Sequence, residues 1–184
     1  DAGVKIGVFG LDTPETATKA HPAKIAGVTF LAGDELAKCA QEQVDALKAE
    51  GCDYIVCLGH LGIDDESVGN RSVDLLAKVT GIDVFIDGHS HSTFSETIKD
   101  KSGKEVVFEQ TGTKLANVGK LTIKTDGTIT HENVDLNTVE PDAEAAAYIQ
   151  TITDKFDALQ KQVVAKTSVE LTINGADGKR AVRN

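Results

Sequence analysis

Apolar and polar positions fall into two regimes along this chain. Up to residue 86, short continuous apolar runs alternate with amphipathic stretches. Residues 4–11 (VKIGVFGL), 53–58 (DYIVCL) and 82–86 (IDVFI) are such runs, and they predict strands buried on both faces. Between the first two, Leu36, Ala40, Val44 and Leu47 recur at helical spacing. Asp34 suits the cap of that helix and Gly51 its stop. Residues 72–79 predict a shorter helix, with Val73, Leu76 and Ala77 on one face. The stretch 12–33, broken by Pro14 and Pro22, reads as a long loop with one short strand at 28–31. A β-α-β-α-β succession implies right-handed crossovers and a mainly parallel sheet covered on both faces.

Beyond residue 100 the pattern turns to alternation. Residues 105–110, 117–124 and 128–136 predict strands in antiparallel style, with Ser102-Gly103 and Asp126-Gly127 as turn signals. Pro141 opens a long helix over 141–163, striped by Ala146, Ile149, Ile152, Phe156, Leu159 and Val163. Residues 163–173 read as one more strand before Asn174-Gly175.

Composition narrows the function classes. The 184 residues carry 19 basic and 29 acidic side chains, a net charge of -10, which argues against binding nucleic-acid backbones or anionic membrane surfaces. Aromatic content of 4% argues against base-stacking platforms. No apolar run approaches the ~20 residues of a membrane-spanning helix. Cys39, Cys52 and Cys57 are too few and oddly placed for a disulfide framework. Cys52 and Cys57 flank a strand and read as core residues, a metal-binding pair being the alternative.

Three of the five histidines sit where open α/β sheets bind ligands, beyond the carboxyl ends of parallel strands. His60 ends the second strand in CLGHLG, and His89 and His91 follow the third in DGHSHS. In an extended segment the i, i+2 pair would project to one side. Gly59, Gly62 and Gly88 let the backbone bend close to a ligand. Three convergent imidazoles suit Zn, Mn, Fe or a similar divalent metal. The plainer reading is loop histidines making ordinary hydrogen bonds. His21, before Pro22, and His131, on a hairpin strand, read as structural or exposed. Asp64, Asp65 and Asp87 read as turn residues or loop charges. A dinucleotide or P-loop site is a weaker rival, because neither glycine motif occurs.

Four blocks, GLDTPET (10–16), DYIVCLGHLG (53–62), DVFIDGHSHS (83–92) and QTGTKLANVGKL (110–121), carry a resemblance. In order and spacing they resemble the 5'-nucleotidase family of the calcineurin-like metallophosphoesterases, which includes the 2',3'-cyclic-nucleotide phosphodiesterases. The resemblance implies a mixed-sheet α/β fold, the second half of a metallophosphoesterase β-sandwich flanked by helices. It implies two divalent metal ions (Zn, Mn or similar) and a metal-activated water attacking the phosphorus of a nucleotide or other phosphate ester. His60 and His89 would ligate one metal and His91 the other; some relatives carry Gln at the position of His91. An extracellular, cell-wall or periplasmic location in a bacterium is implied as well.

The chain departs from that family pattern. The Asp-x-His, Gly-Asp and Gly-Asn-His-Asp/Glu segments with which relatives begin, and which supply the bridging carboxylate, the Asn ligand and the catalytic His, do not occur ahead of these blocks. Three histidines without carboxylates hold two dications poorly, since nothing bridges the ions or offsets their charge. The chain therefore reads as an inner fragment: residues 1–140 as the carboxy-terminal half of a catalytic domain, 141–163 as an interdomain helix, 164–184 as the start of a carboxy-terminal domain. Its own amino-terminal half would be its partner, the catalytic His would lie upstream, and the piece alone would be inactive, with exposed strand edges and apolar faces. Two alternatives stay open: a non-catalytic metal-binding or surface module that keeps the fold, and a hydrolase of other phosphate or sulfur esters on the same scaffold.

Overall fold

A computed structural model of the chain describes residues 3–169. The chain divides into two units, one reaching Val139 and one starting at Glu140.

In the first unit, strand β1 (Ile6–Asp12), a one-turn helix α1 (Thr16–Lys19), the long helix α2 (Gly33–Ala49) and β2 (Tyr54–His60) follow in order. Next come α3 (Ser72–Leu76), β3 (Val84–Ile86) and four strands, β4 (Thr93–Lys99), β5 (Glu105–Thr111), β6 (Asn117–Ile123) and β7 (Ile129–Asp135). Five strands form one sheet in the order β1-β2-β3-β5-β4. The β1/β2, β2/β3 and β3/β5 pairs are parallel, and β4 closes the far edge antiparallel to β5. This is the mainly parallel mixed sheet expected.

The helical stripe does what its spacing requires. Leu36, Ala40 and Val44 of α2 are buried with Leu76 of α3 against Phe9, Ile55, Cys57, Phe85 and Phe108 of the sheet. Each such large side chain contributes about 1.5–3 kcal/mol when fully buried. On the opposite face, the β6–β7 hairpin sets Leu121 and Ile129 against Val56, Val84 and Val107. That hairpin does not reach β1, where Ile6 and Val8, with Leu58 of β2, stay about half exposed. Coverage of both faces, expected from the buried runs, is therefore met only on the helical side and over the middle strands.

Several local expectations are corrected. Residues 28–31 form no strand, and Val28 N–H bonds back to the Ile25 carbonyl in a turn. Helix α2 starts ahead of Asp34, with Ala32 at its N-cap, and the Asp34 carboxylate instead pairs with Lys78 at 2.8 Å. Strand β4 has no counterpart among the expected elements. Its polar run TFSETIK belongs to an edge strand, of which only Phe94 and Ile98 pack on the core. Strand β5 pairs antiparallel with β4 but parallel with β3, so its style is mixed.

The second unit contains α4 (Ala143–Gln160), capped by the Asp142 side chain on Ala145 N–H at 2.8 Å. Pro141 thus precedes the cap rather than opening the first turn. Of the expected strand over 163–173, residues 163–169 are not in a strand, and the rest lies outside the described residues.

Candidate functional site

Parallel pairing of β1, β2 and β3 gathers their carboxyl ends at one edge of the sheet. Asp12 stands opposite His60 in the ladder, and Thr13 N–H donates to the His60 carbonyl at 3.1 Å. The loop after β3 brings His89 against His60, with ring centroids 5.1 Å apart and planes inclined at 66°. Small residues permit this approach. A side chain at Gly88 would stand 3.0 Å from His60 Nδ1, and one at Gly62 would stand 3.1 Å from His89 Cδ2.

His89 and His91 both occupy the left-handed backbone region, at φ 77° and 56°. Such conformations are uncommon for residues with a Cβ and cost of order 1–3 kcal/mol unless the surroundings hold them. They also remove the extended segment that the i, i+2 spacing implied. His91 is exposed. Among the described residues no three His, Cys, Asp or Glu side chains are arranged to hold a metal ion.

Glu15, from the loop after β1, is a participant that spacing does not reveal. Its carboxylate lies 3.3 Å from His89 Nε2 and also receives Lys19 and the Ser67 hydroxyl. Lys19 first, then Ser67, hold this carboxyl down at about 2 against the opposing effect of burial, with His89 adding a smaller contribution.

Asp87 is not the loop charge that its place in the sequence suggests, and that reading is corrected: it is buried. Its Oδ1 accepts Leu61 N–H at 3.0 Å, and its Oδ2 accepts Gly62 N–H at 3.1 Å and the Ser72 hydroxyl at 2.6 Å. Buried Gln110 completes the network from β5. Its Nε2 donates to the Gly88 carbonyl at 3.0 Å, and its Oε1 accepts Ser92 N–H at 2.6 Å and the Ser90 hydroxyl at 3.0 Å. Nearby Cys57 is sealed in the core, and burial, then the Asp87 charge, pushes its thiol far up, so it offers no thiolate.

The other candidates are structural. His21 accepts Ala23 N–H through Nδ1 at 3.2 Å and starts a 3-10 turn. His131 bonds Ser95 Oγ through Nδ1 at 2.5 Å, tying β7 to β4. Asp65 pairs with Arg71 at 3.3 Å on the surface.

Imidazole nitrogens are donors that divalent metals accept. Two imidazoles converge at a strand-end edge with the close backbone approach a ligand needs. Bridging oxygen donors are a different matter, since the Asp87 and Glu15 carboxylates are engaged in the bonds above and that of Asp12 accepts Thr13 N–H at 2.9 Å.

No family model matches the chain. It is 29% identical, over 97% of its length, to the trifunctional nucleotide phosphoesterase protein YfkN of Bacillus subtilis (strain 168). It is 37% identical, over 54% of its length, to a 5'-nucleotidase of Diplobatis ommata. The chain spans only 12% and 15% of those two proteins. A crystal structure of a 5'-nucleotidase precursor from Thermus thermophilus superposes with a TM-score of 0.65 at 25% identity, covering 94% of this chain and 36% of that one. In sequence and in fold the chain is thus a homologue of nucleotide phosphoesterases, and the resemblance to the 5'-nucleotidase family holds.

Proposed function

We propose that this chain forms part of a nucleotide phosphohydrolase, a 5'-nucleotidase or cyclic-nucleotide phosphodiesterase, and supplies imidazole ligands to a two-metal centre. The observation that carries this reading is the contact of His60 and His89 at adjacent strand ends, within a homologue of nucleotide phosphoesterases. When bound, two divalent cations (Zn, Mn or similar) clamp a phosphate and lower the pKa of a water for in-line displacement at phosphorus. His60 and His89, with ring centroids 5.1 Å apart, would ligate one metal, and His91 the other. Gly62 and Gly88 keep that edge open at the backbone. Glu15 holds the His89 ring by its Nε2.

The bridging carboxylate, the Asn ligand and the catalytic His come from outside these 184 residues, so the chain alone is inactive. Residues 1–140 then complete a catalytic domain with that amino-terminal partner, 141–163 are the interdomain segment whose helix is α4 (Ala143–Gln160), and 164–184 begin a carboxy-terminal domain. Among the described residues no helix is long and apolar enough to cross a membrane. An extracellular, cell-wall or periplasmic location agrees with the precursor status of the Thermus relative.

The test is hydrolysis of 5'-AMP and of a 2',3'-cyclic nucleotide by the full gene product in Mn2+, in Zn2+ and in chelator. His60→Asn and His89→Asn should each lower turnover by at least about 100-fold, chelator should abolish it, and the 184 residues alone should show none. Full turnover in both histidine variants would overturn the reading and leave a non-catalytic module that keeps the fold.

A further inference from the structure

We propose that Asp87 is a positioning residue whose single buried carboxylate locks the two histidine-bearing loops into one geometry; this rests on the reading above. The chemistry is in the partners. Each Asp87 oxygen faces donors: the Leu61 and Gly62 N–H groups beside His60, and the Ser72 hydroxyl at the start of α3. Asp87 itself precedes Gly88-His89, so one side chain joins the loop after β2 to the loop after β3. Gln110 braces the same loop from β5, holding the Gly88 carbonyl and Ser92 N–H on either side of the two left-handed histidines.

The clamp accounts for the strained backbone. A left-handed His89 persists only where the surroundings over-determine it. Here fixed bonds hold residues 87, 88, 90 and 92 around it. An acceptor with two equivalent oxygens is required. Asparagine is isosteric, but its amide would turn two N–H donors toward Leu61 N–H on one side, or toward Gly62 N–H and the Ser72 hydroxyl on the other. An unmatched buried donor pushes the two loops apart.

The test uses the full gene product labelled with 13C and 15N at histidine and with 13C at the methyl groups of valine and leucine. In the wild type, His60 and His89 ring protons should give a mutual NOE, as a 5.1 Å centroid separation requires. Co2+ should broaden both rings. Asp87→Asn should lose the NOE and require roughly 10–100-fold more Co2+ for the same broadening, while methyl signals of Val44 and Leu76 keep their positions. Ser72→Ala, which removes one donor and adds none, should keep the NOE with a smaller loss of Co2+ response; it decides the matter if Asp87→Asn does not fold, because an unchanged Co2+ midpoint in Ser72→Ala then refutes the clamp. Asp87→Asn with an intact NOE and a Co2+ midpoint within twofold of wild type also overturns the proposal. Absence of Co2+ broadening in the wild type would count against the metal reading, while the NOE would still decide the clamp.

Discussion

Gly59, immediately before His60, offers a sharp test of how tightly the site is braced. A methyl group there would lie 2.6 Å from Phe85 Cζ, closer still to Cε1, and 3.1 Å from Asp87 Oδ1. Carbon atoms rest about 3.5–4.0 Å apart, so in Gly59→Ala the Phe85 ring must retreat by roughly 1 Å. It has little room. Phe85 is fully buried and stands edge-on to Phe108 at 6.0 Å, and Phe108 in turn packs on Phe94 at 4.6 Å. Overpacking of this kind costs about 1–3 kcal/mol. At about 4 °C per kcal/mol for a unit of this size, Tm should fall by about 4–12 °C. Gly10→Ala is the control. The same methyl on the neighbouring strand meets only the Leu58 carbonyl, at 3.7 Å, and should shift stability by no more than about 0.5 kcal/mol. Urea unfolding followed by circular dichroism would measure both, together with Gly59→Ala/Phe85→Leu. The double variant should recover part of the loss, giving a favourable coupling. Equal stability of Gly59→Ala and Gly10→Ala, or a strictly additive cycle, would refute the claim that Phe85 occupies the space of the missing side chain.

Two predictions concern pH. Burial pushes the Glu109 carboxyl up, partly countered by the His131 charge and the Ser95 hydroxyl, so the native state holds its proton longer than the unfolded chain does. Stability is then fully present below the unfolded value of about 4.3 and is lost as pH rises through the native one; Glu109→Gln should flatten that decline between pH 4 and 7 in urea titrations, and parallel curves would contradict it. Asp100 is the opposite case. Burial pushes its carboxyl up, but the Ser102 hydroxyl and the N–H groups of Gly81, Lys104 and Ser102 outweigh it and leave the value lowered. Its contribution is present above about 3.9 and is lost as pH falls through the native value; Asp100→Asn should cost about 1–3 kcal/mol at pH 7 and nearly nothing at pH 2.

What can be read of the fold from the chain depends on how each element is stabilised. Strands β2 and β3 are inner strands buried on both sides over much of their length, and a continuous apolar run is the direct imprint of that environment. Helix α2 buries one stripe, so its period survives in Leu36, Ala40 and Val44. Strand β4 escapes because an edge strand with two inward apolar residues carries almost no periodic signal. It is held by the antiparallel ladder to β5 over seven residue pairs, and ladder bonds leave no trace in side-chain polarity. The start of α2 is hidden for a related reason. Asp34 is a good cap in isolation, but a salt bridge to Lys78, 44 positions away, employs it elsewhere.

The same distinction separates the histidines from Asp87. A histidine at a strand end is visible because strand, glycine and imidazole are neighbours in sequence, and topology then brings two such ends side by side. That local reasoning fails for His91 once the backbone leaves the extended region at residue 89, where the turn is imposed by Gln110 from another strand. Asp87 is a stronger case. Nothing in DGHSHS distinguishes a solvated turn aspartate from a buried acceptor. Its role is set by donors at Leu61, Gly62 and Ser72, 15 to 26 positions earlier. A carboxylate ringed by donors is costly to bury unless every lone pair is used, and here each oxygen is used on behalf of a loop that carries a histidine. The geometry of the imidazole pair is thus a property of its anionic hub. Exchange of Asp87 should disturb His60 and His89 together, whereas exchange of either ring should leave the hub and its hydrogen bonds in place.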